Sequence, residues 1–126
     1  MPYTAKRKGT LLIPSGPGET SHLFGIVTDR CAAGEHLLLS ISSVREGIRH
    51  DPTCIISAGE HPFIVHDSYV AYRLSVVQSG ERLARMVEGW VYKPKEDLSE
   101  ELCERMLEGV ARSDFTPRRI IDYLAK

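Results

Sequence analysis

The sequence predicts a mainly β domain, a small antiparallel barrel with helices gathered at its C-terminal end. Three observations lead there. Short β-branched and aromatic runs recur between turn residues from Gly9 to Val77. After Asp97 the apolar period changes, and Leu98, Leu102, Met106 and Val110 recur every four residues. The chain has 126 residues, which suits one domain able to bury a core without disulfides.

Each element has its own signature. Residues 9–14 form a first strand, closed by Pro14, which has no N–H for the ladder. Residues 15–21 are a Gly-, Pro- and Ser-rich loop. They lack the Lys-Ser/Thr pair of a phosphate-binding P-loop. A second strand follows at 22–28 and a third at 36–43, the latter apolar enough to be covered on both faces. Residues 45–52 are polar, carry Gly47 and Pro52, and read as a loop. Residues 53–57 give a short fourth strand. The fifth, at 68–77, alternates: Tyr69, Ala71, Arg73 and Ser75 share one face, Val70, Tyr72, Leu74 and Val76 the other. Residues 87–92 read as a sixth strand or an irregular connection.

A helix is expected at 97–111, with Asp97 as N-cap and Glu100 as its capping-box partner. A second starts at Thr116 as N-cap with Pro117 in the first turn, its apolar face being Ile120, Ile121 and Leu124. Short antiparallel strands followed by helices imply an SH3-like small barrel with helices packed on it. The expected organisation is a single domain, 1–126, with the barrel at 9–92 and the helical tail at 97–126.

Composition narrows the function classes. Apolar content is 42% and net charge is −1, so the chain is globular and carries no global polyanion-binding charge. Lys6, Arg7, Lys8, Arg30, Arg45 and Arg49 lie in the less acidic N-terminal part, which permits a local anion-binding surface. Cys31, Cys54 and Cys103 are widely spaced, as free thiols of a reducing cytosol would be. A cytoplasmic location is expected, since no apolar run reaches membrane-spanning length.

The histidines carry the clearest chemistry. His22, His36, His50, His61 and His66 can each give or take a proton near neutral pH, and a pair can act as acid and base. The more frequent role of any one of them is structural. His61 and His66, with Glu60 and Asp67 beside them, lack the spacing of a zinc site, so no metal or cofactor is expected. No GxSxG elbow supports a serine hydrolase. Residues 59–70 hold the densest cluster of polar and aromatic side chains. Their structural role would be a loop stiffened by Pro62, plugged into the core by Phe63, and capped by Asp67 or Ser68.

The order of these segments resembles the PemK/MazF-like family of toxin–antitoxin ribonucleases. The likeness rests on Gly9-Thr10-Leu11, a Gly/Pro loop, a strand ending near Asp29, a strand ending in Ser42-Ser43, and Asp67-Ser68-Tyr69-Val70 opening the fifth strand. It covers about residues 9–77. The resemblance implies an SH3-like barrel that forms a homodimer and cleaves single-stranded RNA without a metal. It also implies silencing by a cognate antitoxin protein, with no membrane involved. The family's Arg before the second strand is replaced here by Ser21-His22-Leu23, and His22 is the nearest titratable substitute. The implied catalytic residues are His22, Ser43 and His61. Arg45, Arg49 and His66 would bind the substrate. The alternative is a non-catalytic barrel that binds a peptide, protein or nucleic acid.

Overall fold

A computed structural model describes residues 2–15, 18 and 20–126. The fold is mainly β, a six-stranded antiparallel sheet curled into a half-barrel with three helices among the described residues. The strands are β1 (Thr10–Pro14), β2 (Ser21–Ile26), β3 (Glu35–Ser43), β4 (Ile55–Ile56), β5 (Ser68–Ser79) and β6 (Lys93–Lys95). The helices are α1 (Gly80–Glu88), α2 (Glu100–Arg112) and α3 (Arg118–Leu124). Across the sheet the order is β4-β5-β3-β2-β1-β6. No helix among the described residues is long and apolar enough to cross a membrane.

The five strand runs read from the sequence all lie in this sheet, each shifted by a few residues at its ends. No helix is expected from sequence at residues 80–88, yet they form α1. Ser79 caps it by accepting a hydrogen bond from the Arg82 N–H, and Leu83 anchors it in the core. The connection expected at 87–92 is therefore the end of α1 and a turn, and the sixth strand comes later. α1 interrupts the stretch read as barrel, and β6 falls between that stretch and the tail.

Apolar side chains divide between the two faces of the sheet. On one, Leu23, Leu37, Leu39, Ile41, Val70 and Tyr72 meet Leu98, Leu102, Met106, Val110 and Ile120. The four-residue recurrence thus marks the buried stripe of α2 and its approach. On the other, Leu11, Ile13, Phe24, Ile26 and Leu38 pack with Leu83 and Tyr92. α1 covers only part of this second face.

α2 begins two residues later than expected. Ser99 is its N-cap and accepts from the Leu102 N–H at 3.1 Å. Asp97 is instead paired with Lys6 at 2.9 Å, and Glu100 with Arg7. Thr116 likewise spends its hydroxyl on the Val110 carbonyl, so α3 starts after Pro117 without a side-chain cap. Of its expected apolar face only Ile120 is buried. The alternation of β5 also breaks. The β3–β5 register jumps between the Leu38–Val76 and Ser40–Ala71 pairs, and past this irregularity Ser75 turns inward to bond the Tyr72 carbonyl.

The two outer strands of the curled sheet are joined through one carbonyl. Glu96, just after β6, accepts from Thr10 Oγ1 at 2.8 Å and from His61 Nε2 at 2.6 Å. His61 stands on the turn after β4. Arg105 of α2 completes the closure by donating to the Ile55 carbonyl of β4 and pairing with Glu60.

α2 can approach the sheet because Gly109 has no side chain. A Cβ there would lie 1.9 Å from Tyr72 Oη and 2.6 Å from Cζ. The Tyr72 hydroxyl donates to the Met106 carbonyl at 2.6 Å, so the ring cannot retreat without losing that bond. Gly109→Ala should therefore destabilise the protein by about 2 kcal/mol or more, although alanine favours a helix interior by about 1 kcal/mol. Urea unfolding monitored by circular dichroism measures the difference, and an unchanged or raised midpoint would refute this packing.

Candidate functional site

The part of the second sheet face that α1 leaves uncovered carries a polar row. Ile13 pairs with His22 across β1 and β2, and Ser42 pairs with Tyr69 across β3 and β5. The β2–β3 register runs through Leu23–Ile41, so His22 and Ser42 are neighbours one step further on. The next row, Leu11, Phe24, Ser40 and Ala71, is small or apolar and buried. The sheet surface therefore changes from greasy to polar within one pleat.

Over this row lies a cleft of about 540 Å³, walled on its far side by the loop at 44–52. Its side chains are Ser15, His22, Ser42, Ser43, Arg45, Ile48, Arg49, His50, Tyr69, Arg73 and Leu74. Three are arginines, two are histidines, and none of the described residues in the lining is acidic. Arg45, Arg49 and Arg73 make no ion pair or side-chain hydrogen bond with other described residues. His22 is held in place. Its Nδ1 lies 2.6 Å from Ser15 Oγ, which leaves Nε2 unengaged among the described residues. His50 leans on the Tyr69 ring at 5.2 Å between centroids.

No family model matches the chain, and no curated protein does either. The chemistry of the cleft must speak from its own residues.

Of the residues singled out from sequence, His22, Ser43, Arg45 and Arg49 come together in this cleft. His61 does not. It is 2% exposed, with both ring nitrogens engaged: Nδ1 accepts from the Phe63 N–H and Nε2 donates to the Glu96 carbonyl. A ring so committed cannot pair with His22 as acid and base, so that pairing is corrected. His66 faces a separate groove of about 450 Å³ with Phe63 and Val65, which shares only Ser42 and Ser43 with the His22 cleft. The segment at 59–70 is the structured turn its composition allowed. Asp67 accepts from the Ala58 N–H and Ser68 donates to the His66 carbonyl. Ile64 rather than Phe63 is the residue plugged into the core, for Phe63 is 42% exposed.

His50, Arg73, Tyr69 and Ser15 were missed as site residues. Arg73 and Tyr69 share one strand face in the sequence pattern, and that shared face was the available signal, for Tyr69 stands opposite Ser42 near the end of β3. His50 sat in a polar loop whose position no local pattern fixes.

That loop is tied down by Asp51. Its carboxylate accepts from the Thr53 N–H and from the Ser113 hydroxyl at the end of α2. Burial alone would raise this group, but the bonds from Ser113 and Thr53, helped by His50, outweigh it and hold the carboxyl below the usual aspartate range. A lowered folded value means the tie stabilises the protein fully above the unfolded aspartate value. The contribution fades as pH falls through the folded one. Asp51→Asn should flatten the acid limb of the stability–pH curve below about pH 4. Thermal melts across acid pH measure it. An unaltered acid limb in the variant would show that the tie does not govern acid stability.

Proposed function

We propose that the chain is a PemK/MazF-like endoribonuclease with an SH3-like barrel, cleaving single-stranded RNA in the cleft beneath residues 44–52. What supports the reading is one observation: among the described residues, three arginines without side-chain partners and two histidines line a cleft to which no acidic side chain contributes. Arginine forks match phosphate oxygens, and a free carboxylate in the lining would repel them. The unfilled donors suit a phosphodiester better than a neutral or cationic ligand.

The reaction fits these groups. One imidazole takes the proton of a ribose 2′-hydroxyl as its oxygen bonds to phosphorus. The other gives a proton to the departing 5′-oxygen as the P–O5′ bond breaks. The products are a 2′,3′-cyclic phosphate and a 5′-hydroxyl. His22 and His50 are the two candidates, His50 taking the part first assigned to His61. Arg45, Arg49 and Arg73 would hold the phosphate and offset the charge that builds on it. Ser43 lies within the same lining as a neutral donor. On this reading the chain pairs as a homodimer and is neutralised by an antitoxin protein. A second reading, a barrel of the same fold that binds RNA without cutting it, draws support from the engagement of His61 in the sheet closure.

Incubation with single-stranded RNA in EDTA distinguishes the two. Cleavage should persist, follow a bell-shaped pH profile, and leave cyclic phosphate ends. His22→Ala and His50→Ala should each slow it by roughly two powers of ten or more. His61→Ala should instead lower stability by about 1–3 kcal/mol. RNA binding without cleavage would favour the second reading, and no salt-dependent binding at all would end both.

A further inference from the structure

A larger recess of about 730 Å³ adjoins the arginine cleft. The two share Ile48, Arg49, His50, Tyr69 and Arg73, so they form one groove with a basic end and an apolar end. Pro52, Ala71 and Phe115 build the apolar end, and Tyr69 stands at the junction. Asp51 is the one acid among the described residues of its lining, and its carboxylate is already occupied by Thr53 and Ser113. Ile48 and Phe115 are 62% and 56% exposed, so sizeable apolar surface is left in water at the rim. The tilted His50 and Tyr69 rings add an aromatic corner.

We propose that the apolar end receives a nucleobase of the strand whose phosphate occupies the arginine end. This rests on the nucleic-acid reading given above and extends it. A nucleotide has the polarity of the groove, an anionic group joined through a short sugar to a flat aromatic ring. Bases of single strands are held by stacking on aromatic side chains beside a basic track. Phe115 comes from the connection between α2 and α3, so the C-terminal helices contribute directly to substrate binding.

The test uses the full chain and short 2′-O-methyl RNA, which lacks the attacking hydroxyl. One abasic site is moved along the strand, and affinity is read by fluorescence anisotropy at several salt concentrations. The expected result is one position at which base loss weakens binding about tenfold, the scale of a single stacked base. Phe115→Ala, at an exposed position, should erase that difference while the salt dependence stays. If no abasic position matters, or the penalty survives intact in Phe115→Ala, the base subsite is wrong and the nucleic-acid reading stands. If no probe binds in a salt-dependent way, both fall together.

Discussion

The carbonyl of Glu96 is the point on which the architecture closes. An open sheet with β4 at one end and β6 at the other would splay under its own twist. Here Thr10 of β1 and His61, on the turn after β4, reach the same oxygen just after β6, so the two margins of the sheet are joined. Both bonds lie in largely buried surroundings, where an unmet donor or acceptor is costly. The stripe of α2 packs on one face of this sheet, and Gly109 lets the helix settle against Tyr72. The other face is left to be shared between α1 and the polar row.

That division decides where chemistry can occur. Most of the buried face is filled by helix side chains, and the two larger adjoining recesses open on the face that α1 leaves partly uncovered. Its row of His22, Ser42 and Tyr69 gains walls from a loop that Asp51 fastens to the end of α2. The arginines of the cleft therefore stand on two supports, the rigid strand β5 for Arg73 and the tethered loop for Arg45 and Arg49. The loop is exposed, but its end is fixed to the core, which limits how far the cleft can open.

The sequence made the strands legible because short β-branched and aromatic runs stand between turn residues. It made the stripe of α2 legible because Leu98, Leu102, Met106 and Val110 keep helical spacing. Cap positions were less legible, since Asp97 and Thr116 had competing partners, the distant Lys6 for one and the Val110 carbonyl of the preceding helix for the other. His22 with Ser43 could be read because antiparallel neighbours place a strand's start beside the next strand's end. His61 could not be judged, because what removes it from solution chemistry is a carbonyl 35 residues away. His50 was hidden for the converse reason: its loop earns a fixed place only through Asp51 and Ser113, which no local pattern links.

The strand margins have a consequence for how the protein behaves among its own copies. β4 has only two residues, and the Ile55 carbonyl is claimed by Arg105. β6 reads Lys93-Pro94-Lys95, so its middle residue offers no N–H and its flanks carry like charges. Neither margin presents a long run of vacant ladder groups that a second chain could extend. The closure that shapes the cleft thus also removes templates for edge-to-edge aggregation. A chain rich in apolar strands can remain dispersed at concentrations where an open sheet of the same composition would stack into fibrils.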